Sequence, residues 1–205
     1  MSYSATRSVM AALTVAGGDG PAALFVGGCV RDALLGREVG DVDIATVHAP
    51  DAVMGLLDAA GIGYHTIGAD HGTVAAHVDG RVFEITTLRV DVETDGRHAK
   101  VAFTDDWALD ASRRDFTMNA LYADAEGHVF DPLGGMGDLK ARRVRFIGDA
   151  NERIREDALR ILRFFRFHAQ LDIGVFDRDG LTACMNHAGM VNDLSGERVC
   201  AEIQK

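Results

Sequence analysis

The sequence predicts an α+β fold, a mixed β-sheet with flanking helices, followed by a small all-α unit. Three observations carry this. Short apolar runs bounded by glycine or aspartate alternate with helix-period segments as far as about residue 145. One pair of runs, HGTVAAHV and RVFEITTLR around Asp79-Gly80, is a hairpin signature and brings antiparallel pairing into the sheet. Beyond it, NERIREDALRILRFFRFHAQL keeps helical spacing with no strand signal. The change of texture divides the chain into 1–145 and 146–205.

The elements follow in order. A helix is expected over 5–16. ALFVGG reads as a short buried strand, and CVRDALLG as a helix ended by Gly36. DVDIATV is the next strand, with Asp41 and Asp43 alternating against Val42 and Ile44. Pro50 opens a helix that Gly61 closes. After the hairpin, DVETDGRHAKVAF is polar and aperiodic and reads as a mobile loop. A helix near TDDWALDASRRDFTMNAL comes next, then the strand pair LYAD and HVFDP across Ala125–Gly127. GGMGDLKARRVRFIG reads as a turn-rich link with a short strand. In the long helix, Ile154, Ala158, Ile161, Leu162, Phe165 and Ala169 gather on one side, and Glu156, Asp157, Arg160 and Arg163 on the other. LTACMNHAGMVNDLSGERVCAEIQK supplies two further helices, the second started by Ser195.

Composition narrows the function classes. With 47% hydrophobic residues the 205-residue chain is not intrinsically disordered. No apolar run approaches the roughly 18 residues of a membrane-spanning helix. The first twenty residues carry little positive charge and no cleavage pattern, so no secretory signal is expected. Cys29, Cys184 and Cys200 are odd in number and scattered, which points to reduced thiols and a cytoplasmic setting. The net charge of −10 argues against a protein that coats nucleic acid. Its distribution is uneven: residues 1–110 carry 16 acidic and 7 basic side chains, whereas 140–168 carry 9 Lys/Arg against 4 Asp/Glu. Only three of the 21 basic residues are lysine, and arginine is the better fork for phosphates and base edges. A GC-rich genome gives the same bias.

The candidate chemistry lies in carboxylates and glycines. Asp41 and Asp43, two apart on a strand, point to one face and repel each other unless a cation lies between them. Acidic residues at a strand end are also commonly just solvated. Glu84 sits inside an apolar strand, where its charge is costly unless the face is exposed or the strand neighbours that of Asp41 and Asp43. In the second case three carboxylates converge, as metal-assisted phosphoryl transfer requires. Gly27 and Gly28 stand between a strand and a helix, where a phosphate can approach backbone N–H groups. Neither the P-loop nor the GxGxxG pattern is present. Arg31 lies a turn into that helix, facing either the same phosphates or solvent. In RRDFTMNA, Thr117 and Asn119 suit a turn brace and Arg114 suits a phosphate. Asp157, Arg160 and Arg163 form either an intrahelical salt-bridge ladder or a set of acceptors and donors for a base edge.

FVGGCVRDALLGREVGDVDIAT, FEITTLR, RRDFTMNALYAD, DPLGGMGDL and REDALRILRFFRF stand in this order. Together they resemble the bacterial class II tRNA nucleotidyltransferase (CCA-adding enzyme) and poly(A) polymerase family, within the DNA polymerase beta-like nucleotidyltransferases. The resemblance runs over roughly residues 22–205. It implies a catalytic head over 1–145 and a helical neck over 146–205, cut short of the body and tail domains that grip tRNA in that family. It implies addition of CMP and AMP from CTP and ATP to the 3′ end of tRNA with release of pyrophosphate. Asp41 and Asp43 match the two carboxylates that hold two Mg²⁺ ions, and Glu84 matches the third acidic position. Gly28, Arg31 and Arg114 match contacts to the incoming nucleotide. Asp157 and Arg160 match the EDxxR pair that selects cytosine or adenine, and Arg163 and Arg166 match further nucleotide contacts. Residues 91–104 match a flexible loop linked to the switch from C to A addition. A poly(A) polymerase using the same head is the alternative, and a non-catalytic RNA-binding module the third. The implied partners are the tRNA 3′ end and nucleoside triphosphates, with no membrane, and the oligomeric state stays open.

Overall fold

A computed structural model of the chain describes all residues but 1–2, 15–19, 68–71, 96–97 and 172–174. Its centre is a seven-stranded mixed sheet in the order β3-β4-β5-β2-β1-β8-β9. The strands are β1 (Ala23–Val26), β2 (Val42–Thr46), β3 (Gly63–Ile67), β4 (Thr73–Val78), β5 (Arg81–Thr87), β8 (Tyr122–Ala123) and β9 (Val129–Phe130). A separate ribbon pairs β6 (Arg89–Asp95) with β7 (His98–Phe103). Among the described residues only β2 and β5 pair in parallel; their other ladders are antiparallel. The α+β expectation holds, including the hairpin across Asp79–Gly80, where Val78 pairs with Arg81.

Strand alternation decides which face is covered. Val42, Ile44, Val74, Ala76, Phe83 and Ile85 bury against α1 (Tyr3–Leu13) and α3 (Pro50–Ala59), which contribute Val9, Leu13, Val53 and Leu57. The residues between them in sequence, Asp43, Ala75 and Glu84, therefore lie on the opposite face. The far end of the expected 5–16 helix falls outside the described residues; the helix is seen to Leu13. β3 had no sequence signal strong enough to mark it. It is an exposed edge strand, and four of its five residues face solvent enough to hide any alternation.

Four expectations are corrected. The polar stretch 91–104 is not an irregular loop: it forms most of the β6–β7 ribbon, with a register shift between Asp91 and Glu93. Its sequence is polar and aperiodic, so its pattern carries no strand signal. The helix expected through TDDWALDASRRDFTMNAL is only α4 (Trp107–Ser112), capped by Asp106, whose carboxylate accepts from the N–H groups of Ala108 and Leu109. It stops because Phe116 is extended and bridges to Phe146, and a short 3₁₀ turn follows over Thr117–Asn119. GGMGDLK is helical, as α5 (Gly135–Lys140), because Asp131 accepts from the N–H groups of Gly135 and Met136. Gly135 itself is required by a close approach: a Cβ there would collide with the Thr117 carbonyl.

The fourth correction concerns the long helix. It is two helices, α6 (Ala150–Glu156) and α7 (Leu159–Gln170), broken where Asp157 adopts extended angles of φ −155° and ψ 107°. The break resets the helical phase. Ile154, Ala158 and Ile161 are buried as expected, but from there the core face passes to Phe164, Phe167 and Leu171. Phe165 and Ala169 are exposed and Leu162 is half-buried. The two further helices are α8 (Arg178–Asn186) and α9 (Gly196–Ile203), and Ser195 caps the second as expected. One apolar cluster runs through Phe116, Leu139 and Val144 into Phe146, Ile154, Phe164 and Ala183, so the sheet end and the helical end share a core.

Candidate functional site

Among the described residues, a cleft of about 670 Å³ opens between the start of α2 (Gly28–Leu34), the beginning of β2, the 113–119 segment and α7. Its walls include Gly28, Arg31, Asp41, Asp43, Arg114, Asp157, Arg160, Arg163 and Arg166. Nine of the ten residues singled out in the sequence thus meet in one space. Glu84 does not line it but stands beside it, paired in register with Asp43 across the parallel β2–β5 ladder.

The carboxylate end is under electrostatic tension. Asp43 is half-buried, and burial pushes its carboxyl up to about 6; the Glu84 carboxylate adds to this, and so does Asp41 more weakly, against the pull of Arg114. Glu84 lies on an exposed stretch of sheet, so both halves of its sequence reading apply: the face is open to water and its strand neighbours that of Asp43. Among the described residues no three His, Cys, Asp or Glu side chains form a ready-made metal cage. The residues nonetheless suit a divalent cation, because bringing one to Asp43 would relieve the repulsion that raises its carboxyl.

Next to the acids are backbone groups and arginines. Gly27 has φ +75°, a conformation L side chains rarely adopt, and it starts α2 without a side-chain cap. Arg114 sits directly behind it, with Nη1 3.6 Å from the position of a Gly27 Cβ. Its guanidinium donates to Asp110 at 3.0 Å and lies over the Tyr122 ring, 5.6 Å from the centroid. Among the described residues its buried Nε has no hydrogen-bond partner. Asp110 is buried as well. Burial alone would raise its carboxyl, but Arg114 and Arg113 hold it below the usual range.

The remaining arginines are held by groups the sequence did not single out as site residues. Arg31 Nη1 donates to Asn119 Oδ1 at 2.7 Å, and Asn119 Nδ2 donates to Asp115 Oδ1 at 3.0 Å. Asp115 Oδ2 in turn accepts from Arg163 Nε at 2.7 Å. This relay connects α2 to α7 through the RRDFTMN segment, and it makes Asn119 the turn brace that its sequence suggested. Phe167, buried beneath them, has the guanidinium carbons of Arg166, Arg31 and Arg163 at 4.1, 4.8 and 5.3 Å from its ring centroid. The only advance signal for Phe167 was an aromatic at helical spacing, which is more often plain core.

The Arg160 N–H donates to the Asp157 carbonyl at 3.1 Å, but among the described residues their side chains do not pair. Arg160 Nη1 donates to Glu156 Oε2 and to the Arg153 carbonyl, while Glu156 also pairs with Arg153. The intrahelical ladder expected of Asp157, Arg160 and Arg163 is therefore not formed: Arg160 pairs with Glu156 across the α6–α7 break, Arg163 with Asp115 and Asp157 with Arg198. An arginine set facing an acid pair across one cleft is chemically suited to a polyanion held together with a cation. Asp157 and Arg160 add an acceptor and a donor on the same wall.

Known proteins similar to this chain are numerous. The family model for the poly(A) polymerase head domain matches residues 23–145. The mitochondrial CCA tRNA nucleotidyltransferase 1 of Danio rerio is 44% identical over 184 residues, covering 88% of this chain and 43% of that protein. The CCA-adding enzyme of Geobacillus thermodenitrificans is 42% identical over 185 residues, covering 89% and 45%. The crystal structure of the Bacillus stearothermophilus CCA-adding enzyme in complex with CTP superimposes with a TM-score of 0.84 at 37% identity, over 98% of this chain and 47% of that one. A tRNA nucleotidyltransferase complexed with a primer tRNA and an incoming ATP analog gives a TM-score of 0.74 at 28% identity, over 89% and 52%. The chain spans less than half the length of the curated relatives it matches.

Proposed function

The chain belongs to the poly(A) polymerase head-domain family, and from that premise we propose that it is the catalytic front of a tRNA nucleotidyltransferase. In this reading it adds CMP and AMP from CTP and ATP to the 3′ end of tRNA and releases pyrophosphate. The observation that carries the proposal is that one cleft unites the Asp41/Asp43 pair, the arginine set and the Asp157/Arg160 wall. The similarity to CCA-adding enzymes, one seen with CTP and one with primer tRNA and an ATP analog, supports the same substrates.

Residues 1–145 would supply the phosphate chemistry and 146–205 the base-reading groups. Asp41 and Asp43, with Glu84 beside them, would hold Mg²⁺. When bound, that ion neutralises the triphosphate and lowers the cost of ionising an attacking hydroxyl. The protein's own part is positioning. Arg114 is set rigidly by Asp110 behind the Gly27–Gly28 turn, where a triphosphate would lie. Arg31 and Arg163 are fixed by Asn119 and Asp115, so little side-chain freedom is lost when a polyanion binds. Glu84, exposed beside Asp43, is placed to orient the RNA 3′-hydroxyl or take its proton. Asp157 accepts from a base amino group, and Arg160 donates to the neighbouring ring nitrogen of cytosine or adenine. The free thiols of Cys29, Cys184 and Cys200 support a reducing compartment, and we place the protein in the cytoplasm. No helix among the described residues is long and apolar enough to cross a membrane.

The test is primer extension by the full-length protein on tRNA lacking its terminal CCA, with CTP and ATP given separately and together. Ordered addition of two C and one A is the expected outcome. Long A tails from ATP alone would show a poly(A) polymerase instead, and no incorporation at all would leave only an RNA-binding module.

A further inference from the structure

The base-reading wall is held from outside by α9, a helix whose residues no step above has used. Arg198 Nη2 lies 3.0 Å from Asp157 Oδ1 and 2.8 Å from Asp157 Oδ2. The same Oδ1 accepts from the Leu159 N–H at 3.0 Å. A carboxylate offers about four lone-pair positions, and three are thereby taken by donors of the protein. One turn further along α9, Glu202 is buried and accepts from Arg166 Nε at 2.6 Å, with Arg163 Nη1 3.7 Å away. A single short helix thus holds the acceptor at one end of α7 and two donors along it. Ser195 begins that helix by accepting from the Arg198 N–H, which fixes the backbone from which Arg198 reaches out.

Among the described residues, Arg198 is the side chain that holds the Asp157 carboxylate; the other donor is the Leu159 N–H. Asp157 sits in the extended break between α6 and α7, where the first N–H of α7 supports one of its carboxylate oxygens. Its near neighbour Arg160 is engaged by Glu156 and the Arg153 carbonyl. Without Arg198 the carboxylate is free to rotate, and Asp157 is left with one backbone donor.

We propose that Arg198 is a positioning residue for base selection: it clamps Asp157 so that a single acceptor position faces the cleft. Such a position accepts an amino hydrogen, as cytosine and adenine present, and repels a carbonyl oxygen, as uracil and guanine present. Glu202 does the corresponding work for Arg166 and Arg163. The inference rests on the nucleotide-binding reading of the cleft and goes beyond it, by assigning amino-against-keto discrimination to a residue that touches no base.

The experiment measures the binding of CTP, UTP, ATP and GTP with Mg²⁺ to the wild-type chain and to Arg198→Ala, Arg198→Gln and Arg198→Lys, with a thermal midpoint for each. The CTP/UTP and ATP/GTP affinity ratios should fall about tenfold in Arg198→Ala, the worth of one hydrogen bond to a charged group. Arg198→Lys should recover part of the ratio and Arg198→Gln little, while triphosphate affinity summed over the bases changes less. Arg198 is partly exposed, so the variants should fold. A wild type that discriminates and an Arg198→Ala variant that discriminates equally overturn this inference alone. Loss of all four nucleotides in parallel with a lowered midpoint shows a merely structural role and overturns it too. A wild type that binds no triphosphate overturns the nucleotide reading, and this inference with it.

Discussion

Asp115 and Arg163 are 48 residues apart in sequence, yet Arg163 Nε and Nη2 both reach Asp115 Oδ2, at 2.7 and 2.6 Å. The pair is the tightest polar tie between the sheet-bearing part of the chain and α7. Asp115 is buried, and Asn119 and the Phe116 N–H satisfy its other oxygen. It is a compensated buried charge, the kind whose cost appears only when one partner is removed.

Asp115→Asn should therefore destabilise the chain by about 3 kcal/mol, since it removes the nearer counter-charge of the Arg163 guanidinium and leaves Glu202 at 3.7 Å. Urea unfolding at pH 7 measures it. The pH dependence has a definite sign. Burial would raise this carboxyl, but Arg163 and Asn119 hold it below the usual range. Its stabilisation is complete above the unfolded value of about 4 and is lost as pH falls through the lower folded value. The wild type should lose this increment of stability on acidification, and Asp115→Asn should not.

Asp43 has the opposite sign. Its carboxyl is raised to about 6, chiefly by burial and then by Glu84. In the metal-free chain its favourable contribution is full below about pH 4 and is lost as pH rises through about 6. Asp43→Asn should raise the stability of the metal-free chain at pH 7 by roughly 1–2 kcal/mol. It should also abolish Mg²⁺-dependent binding of CTP. Thermal melts with EDTA and with Mg²⁺ read both effects, and an Asp43→Asn chain that Mg²⁺ and CTP stabilise like the wild type would count against the metal assignment.

Phe167 bears three guanidinium groups on its ring, and its replacement separates packing from positioning. Phe167→Leu keeps most of the buried volume and should cost about 1–1.5 kcal/mol in stability. Triphosphate affinity should fall further than that, because Arg31, Arg163 and Arg166 lose a shared platform worth about 0.5–1 kcal/mol each. Titration with CTP at two salt concentrations distinguishes loosened arginines from a general loss of fold.

The acid pair was legible in the sequence because strand alternation is a two-residue rule, and it places Asp43 opposite the buried Val42 and Ile44 without reference to the rest of the chain. The Asp79–Gly80 hairpin was legible for the same reason: its turn residues dictate its register. Asp131, by contrast, caps α5 from four residues away and turned a glycine-rich link into a helix. The ribbon β6–β7 is formed by a polar, aperiodic stretch that left no alternation to read.

The alternation that sets Asp43 and Glu84 on the uncovered face, the glycine turn before α2 and the order of the motifs were all local properties, each resting on residues within a turn or two of one another. Long-range packing set where the long helix breaks, how Asn119 and Asp115 lock Arg31 and Arg163, and why the Asp157 carboxylate pairs with Arg198 rather than with the Arg160 side chain. Helical spacing makes Asp157 and Arg160 neighbours, and their backbones stay hydrogen-bonded, but the extended angles of Asp157 send its side chain to a different partner. A charge buried by the fold then takes whichever donor the packing of a distant helix brings to it.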